Sequence, residues 1–390
     1  MYNRKQVLWA AFLGMLLFGI TMTTLGAVLP QIIVRYGVDK AHAGSLFSLL
    51  SFGILVGSLV FGPLVDRYSY KSLLTVCGLL VLLGLEGIAF APSFIVLRIA
   101  VFLFALGGGA INGGTNALVS DISDQDRSSG LAYLGVFFGI GAFGIPFILG
   151  ALLDSFTYSG ILAGVGLLVL LPVVYFLAIR FPSPKHEQGF PVREGTGLLR
   201  ESTLLLLGLL LFFQSGMEIT VGGWTSTYFN EELGLRSNRA VYFLSLFWVG
   251  MMIARLLLGA ILKKAAPSVV LRIFIGMAFL GSVLMIIAGD LRLATPGIFL
   301  LGFGLASGYP IVLGFVGDIY RKLSGTAFSI VLVIGLLGGM ILPWLTGILG
   351  DAFGLRPSFI LVMGSLVMQM ALIYVILRRF VERHQEQVNF

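Results

Sequence analysis

Charge is what this chain has least of. Only 11% of its 390 residues are Asp, Glu, Lys or Arg, while 58% are hydrophobic. Soluble domains carry about 25% charged residues, so most of this chain belongs in lipid. Cysteine is nearly absent. The single Cys77 lies within an apolar run, which excludes an internal disulfide and any cysteine metal cluster. The three histidines, with His186 and His384 in polar segments, show no metal-ligand spacing. There is no Walker loop and no GxSxG nucleophile elbow. No metal, cofactor or enzymatic constellation is therefore expected. The first apolar run, Leu8 to Ile33, is far longer than a signal-peptide core and reads as a retained first span.

What is present is a series of long apolar runs. A span needs about 20 such residues. Runs of that kind lie near 8–33, 44–65, 72–91, 95–119, 130–152 and 158–180, then near 203–229, 240–262, 269–289, 295–316, 325–349 and 358–380. The expectation is an all-α integral membrane protein with twelve transmembrane helices. Lys and Arg gather in the loops on the N-terminal side (Arg4, Lys5, Arg67, Lys71, Lys263, Lys264, Arg378 and Arg379 among them). Both termini are thus cytoplasmic by the positive-inside rule. The net charge of +7 marks topology in a lipid bilayer, not a nucleic-acid surface.

The chain repeats itself. A shift of 197 residues places Gly62 on Gly259, Asp66-Arg67 on Lys263-Lys264, Gly107 on Gly304 and Asp121-Ile122 on Asp318-Ile319. It also places Pro146 on Pro343, Gly150 on Gly347, Asp154 on Asp351 and Phe156 on Phe353. Two pseudo-symmetric six-helix halves are expected, residues 1–182 and 203–390. A cytoplasmic linker at 183–202, rich in Pro, Gly and charge, would join them. Parallel repeats of this kind are the plan of a secondary transporter with its site between the halves.

The stretch "GPLVDRYSYK" (62–71) resembles the GxxxDRxGRK loop of the major facilitator superfamily, and the twelve-span plan extends that resemblance over the whole chain. Ser69-Tyr70 stand where Gly-Arg is usual. A gating role follows for Asp66 and Arg67, since charge-assisted hydrogen bonds to a neighbouring helix end make a two-state latch. The stretches "YLGVFFGIGAFGIPFI" (133–148), "QSGMEITVGGW" (214–224), "LFWVGMMIARLLLGAILKK" (246–264) and "ASGYPIVL" (306–313) resemble the fucose–galactose–glucose proton symporter family. They are nearest to its bacterial glucose/mannose uptake members and are similar also to the sodium-dependent glucose transporters. That resemblance implies a hexose substrate and uptake coupled to protons or sodium. The family's coupling carboxylates in spans 1 and 4 are replaced here by Gly26 and Asn112.

Polar residues at bilayer depth are costly, by about 2.5–3.5 kcal/mol for a charge on insertion scales, and so mark candidate sites. Glu218 lies near the middle of span 7 with Gln214 one turn before it, Gly222-Gly223 after it, and Trp224 beyond. The glycine pair suggests an unwound, binding-competent segment. Amides, carboxylates and an indole suit the hydroxyl edges and C–H face of a sugar. Asn112 and Asn116 form a second polar face in span 4, with Gly113-Gly114 leaving room for a ligand, and Tyr309 is the repeat equivalent of Asn112. Substrate contacts are expected from Asn112, Asn116, Gln214, Glu218, Trp224 and Tyr309, proton coupling from Glu218, and gating from Asp66, Arg67 and Arg255. The expected protein is a monomeric hexose transporter of the cytoplasmic (inner) membrane. An exporter of drugs or metabolites on the same fold is the alternative, because fold does not fix function. A membrane enzyme has no supporting constellation, and a receptor or scaffold leaves the repeated gate unexplained.

Overall fold

The computed structural model describes residues 2–122, 127–183, 198, 200–320 and 323–388. The side chains of Asp66, 127–129, Ser324 and 379–388 lie outside that description. Among the described residues there is no strand, and thirteen α-helices follow one another. They are α1 (Arg4–Tyr36), α2 (Lys40–Tyr68), α3 (Tyr70–Phe90), α4 (Phe94–Ile122), α5 (Arg127–Leu152), α6 (Tyr158–Ala178), α7 (Ser202–Glu231), α8 (Ser237–Ile261), α9 (Pro267–Ile287), α10 (Leu291–Leu305), α11 (Gly308–Ile319), α12 (Ser324–Phe353) and α13 (Ser358–Val388). They provide twelve stretches long and apolar enough to cross a membrane, with Leu291–Ile319 counting as one. Helix is the form dictated by lipid, because every backbone polar group must be satisfied within the chain.

The ends of the helices carry familiar chemistry. Gly37, at φ 58°, ends α1, in a left-handed conformation that glycine adopts without steric cost. Asp39 then caps α2 by accepting from the His42 backbone N–H at 2.7 Å. That bond and a second to the His42 ring hold the Asp39 carboxyl below the usual carboxylate range.

In the first half, α1 packs on α4 and α5, α2 on α4, and α3 on α4 and α6. In the second, α7 packs on α12, α8 on α10, and α9 on α10 and α13. Peripheral helices turn apolar side chains outward, as α6 does with Leu167, Leu168, Leu171 and Val174. The halves meet where α2 lies on α12, α5 on α8 and α1 on α7. The 197-residue shift carries α2 onto α8 and α5 onto α12, so the first two contacts are the same contact seen twice.

Three local expectations are corrected. Helix α7 runs unbroken from Ser202 to Glu231, so Gly222-Gly223 does not unwind it. Those glycines serve close packing instead. A Cβ at Gly26 of α1 would overlap the Gly222 carbonyl oxygen, and one at Gly223 would enter the Phe47 ring of α2. Span 10 is the interrupted one, its two pieces α10 and α11 parting at Ala306-Ser307. Pro310 causes this, since it has no N–H to return to the Ala306 carbonyl. The space beside Asn112 is also taken: Gly113 abuts the Phe61 ring and Gly114 abuts Leu73. The expected linker at 183–202 falls mostly outside the described residues.

Candidate functional site

Helix α7 places Glu218 at mid-span, where it is 5% exposed. Its Oε1 lies 3.6 Å from Nη2 of Arg255, which reaches over from α8. The same guanidinium stands 5.5 Å from the ring centre of Phe138 on α5, and Phe138 packs edge-on against Trp248 with ring centres 5.7 Å apart. Arg255 therefore joins a carboxylate of its own half to an aromatic ring of the other. The residue expected to gate thus turns its guanidinium toward Glu218 in the middle of the bundle. The pair is incompletely satisfied: Glu218 Oε2 and Arg255 Nε are both buried without a hydrogen-bond partner. A charged acceptor and a charged donor are thus presented together at a depth where water is scarce.

The break in span 10 builds the rest. Gln214, one turn before Glu218, donates its amide N–H to the Leu305 carbonyl at 2.7 Å, one of the carbonyls freed where α10 ends. Gly308 lies so close that a Cβ there would overlap the Gln214 amide. Gln369 of α13 faces the same amide, Nε2 to Oε1 at 3.4 Å. Gln214 thus holds the break while its side chain also interacts with Glu218. Beyond the break, Tyr309 at the start of α11 interacts with Ser215 and Glu218, and the Ser307 hydroxyl is buried and unpartnered. Glu218, Arg255, Tyr309 and Ser215 form one polar cluster in the second half, with Ser307 at the break two residues before Tyr309. Sequence reasoning missed Ser215, Ser307 and Phe138, whose types are common in spans and give no signal of their own.

The other expected residues sit elsewhere. Asn112 and Asn116 are half-buried on α4, and Asn116 Nδ2 donates to the Asn112 carbonyl at 2.8 Å and to its Oδ1 at 3.2 Å. On the same helix Gly108 abuts Thr21 of α1 and Gly109 abuts Ile54 of α2. At 100° per residue the two asparagines fall between those two packed faces. Trp224 is 2% exposed and donates its indole N–H to the Pro343 carbonyl at 3.0 Å, with the Phe47 ring 6.1 Å away. It plugs the outer side of the α2–α12 seam. Arg67 is exposed, its guanidinium 5.3 Å from the ring of neighbouring Tyr68. The side chain of Asp66 lies outside the described residues.

Among the described residues, several contacts join the halves toward the outside. Ser48 of α2 donates to the Met340 carbonyl of α12 at 2.6 Å, and Lys40 Nζ lies 3.1 Å from Glu231 Oε2. The ring of Tyr242 on α8 meets Phe147 on α5 with centres 5.8 Å apart. Toward the cytoplasm, by contrast, Gly62 of α2, Gly135 of α5 and Gly259 of α8 each face open space within 4 Å.

Relatives and solved structures agree with this architecture. The chain is 24% identical over 392 residues to Protein TsgA of Salmonella paratyphi B, covering 98% of this chain and 97% of that one. It is 23% identical over 374 residues to the uncharacterized MFS-type transporter YfkL of Bacillus subtilis (strain 168), covering 91% and 92%. Its fold is similar to that of the nucleoside transporter NupG (TM-score 0.81, 15% identity, 96% of this chain and 99% of that one). It is similar also to the D-xylose-proton symporter (TM-score 0.80, 13% identity, 95% and 97%). The family model described as Major Facilitator Superfamily matches residues 11–297, and the chain belongs to that superfamily of multi-pass membrane transporters.

Proposed function

We propose that the chain moves a hexose-type, polyhydroxylated solute across the cytoplasmic (inner) membrane by alternating access, as a monomer taking up its substrate together with a proton or sodium. The observation that carries this reading is the Glu218–Arg255 pair, which keeps Oε2 and Nε unpartnered at mid-membrane. A free charged acceptor beside a free charged donor matches a ligand whose hydroxyls both donate and accept. Tyr309 and Ser215 extend the same surface, and Asn112 and Asn116 would add neutral amides from the first half. Gln214 and Trp224 act one layer back, holding the span-10 break and the outer plug. The resemblance of "QSGMEITVGGW" and its companion stretches to the fucose–galactose–glucose symporters agrees with such a ligand. So do the names of two structural neighbours, one a nucleoside and one a pentose transporter.

The reading as an exporter of drugs or metabolites is weaker. It calls for an isolated acid in an apolar cavity, and here Arg255 already neutralises Glu218. Coupling then has a simple form. A proton arriving on Glu218 discharges the pair and frees Arg255, so that substrate and proton settle together. The test is uptake of labelled hexoses, pentoses and nucleosides into proteoliposomes with proton and sodium gradients imposed separately. Hexose uptake that responds to one gradient supports the reading, and uptake of nucleosides alone corrects the substrate. Sugar-driven alkalinisation of the outer medium that persists in Glu218→Gln removes Glu218 from coupling.

A further inference from the structure

The sequence repeat contains a pattern that the site does not use: Pro146-x3-Gly150-x3-Asp154 and Pro343-x3-Gly347-x3-Asp351. Spacing by four puts each trio along one helix face. In both halves that face meets the opposite half. Gly347 lies so near α2 that a Cβ would overlap the Lys40 carbonyl, and Gly150 abuts the Tyr242 ring of α8. At the outer end of α12, Asp351 accepts the Lys40 N–H on Oδ1 and the Ala41 N–H on Oδ2, both at 2.8 Å. One carboxylate thus spans two of the free amides that open α2, where the helix dipole also favours an anion. At the outer end of α5, Asp154 Oδ2 accepts from Asn238 Nδ2 at 2.7 Å. Asn238 belongs to the first turn of α8, and the 197-residue shift carries Ala41 onto Asn238 as it carries Asp154 onto Asp351. The two contacts are one device made twice.

We propose that Asp154 and Asp351 form a duplicated outer latch, each carboxylate holding the first turn of a helix in the opposite half while the outside is closed, and both releasing when the molecule opens outward. The two copies are unequal. Asp351 has a bidentate hold on backbone donors, and Lys40 adds an ion pair to Glu231 beside it. Asp154 holds one side-chain amide, at the wall of an open cavity of about 740 Å³ that Arg35 and Arg236 also line. The Asp351 copy therefore dominates. The inference rests on the alternating-access reading and not on which solute is carried.

The test is a distance measurement in the full chain, with Cys77 replaced by Ser. Spin labels at Val34 and Leu291, exposed at the outer ends of α1 and α10, report on opening outside. Asp351→Ala is expected to raise the ratio of long to short distances about fivefold, the scale of a charge lost from a helix N-terminus. Asp154→Ala should raise it by less, and the double variant by more than either. Asp351→Asn, which keeps the shape and removes the charge, should fall between parent and Asp351→Ala. It also serves as the readout if the alanine variant does not fold. Distance distributions that match the parent in folded Asp351→Asn and Asp154→Ala overturn the latch. A hexose panel that shows no uptake while these shifts appear rejects the substrate reading and leaves the latch standing.

Discussion

The two halves repeat one scaffold, yet they carry different chemistry at matching positions. The shift that pairs Asn112 with Tyr309 also pairs Thr21 with Glu218 and Ser58 with Arg255. In the first half these residues are neutral and turn inward on their own helices or neighbours. Thr21 donates to the Leu17 carbonyl at 2.9 Å, Ser58 to the Gly109 carbonyl at 3.3 Å, and the asparagines of α4 bond each other. In the second half the same positions hold an ion pair and a phenol, with buried atoms left unpartnered. Duplication gave the packing, and divergence concentrated the costly groups on one side. The two halves thus present a neutral wall and a charged one.

The largest effect should come from breaking the charged wall. Glu218→Gln strands Arg255 and removes the charged acceptor. Hydrogen bonds to charged groups are worth about 1.5–3 kcal/mol, so substrate affinity should fall on the order of 10- to 100-fold. If the pair acts as a unit, Glu218→Gln and Arg255→Gln together should cost far less than the sum of the two alone. Strictly additive losses, measured by ligand binding in detergent, would separate the two residues.

The next effect tests whether the first half can be recharged. Gly26→Asp introduces in span 1 a carboxylate of the kind carried there by the symporters that this chain resembles. Its Cβ, however, would overlap the Gly222 carbonyl where α1 meets α7. Overpacking typically costs about 1–3 kcal/mol, and a buried unpaired charge adds to that. The variant should therefore lose thermal stability without gaining proton coupling. A stable Gly26→Asp protein with restored coupling would show that the close approach is incidental.

Gln214→Ala sharpens the comparison from the structural side. It leaves the Leu305 carbonyl and Gln369 without their shared partner, and an unsatisfied buried group costs about 1–3 kcal/mol. A lowered midpoint of thermal unfolding with substrate affinity nearly unchanged is the expected outcome. A loss of affinity alone would return Gln214 to the ligand.

Much of this was legible in the residues. Apolar run length dictated twelve spans, and the distribution of Lys and Arg carries the expectation that both termini are cytoplasmic. The constant offset gave two halves, and it also contained the Pro-Gly-Asp pattern now seen at the outer seam. What could not be read was which glycines unwind and which pack. Gly222-Gly223 and Gly113-Gly114 look alike in one dimension, and only the positions of Gly26, Phe47, Phe61 and Leu73 decide their use. Direction of side chains was hidden for the same reason. Gln214 and Glu218 share a helix face, yet one is spent on a broken backbone three spans away and the other on an arginine in the next helix. Pro310 was the legible cause of that break, and its effect on Gln214 required the fold.

The smallest effect lies on the neutral wall. Asn116 donates to its own helix at Asn112, and polar contacts between spans average about 0.6 kcal/mol. Asn116→Ala should therefore shift stability little. Asn112→Ala removes the side-chain acceptor that Asn116 reaches together with any bond to a ligand hydroxyl. A single neutral hydrogen bond is worth about 0.5–1.5 kcal/mol, which corresponds to a loss of affinity of about 2- to 13-fold, well below that of Glu218→Gln. The informative quantity is the coupling between the walls. If one solute touches both, the two residues act on it from different halves, and the Asn112→Ala and Glu218→Gln losses should be nearly additive in binding. If Asn112→Ala leaves affinity for every hydroxylated solute at the parental value, the first half contributes packing only and the charged wall binds alone.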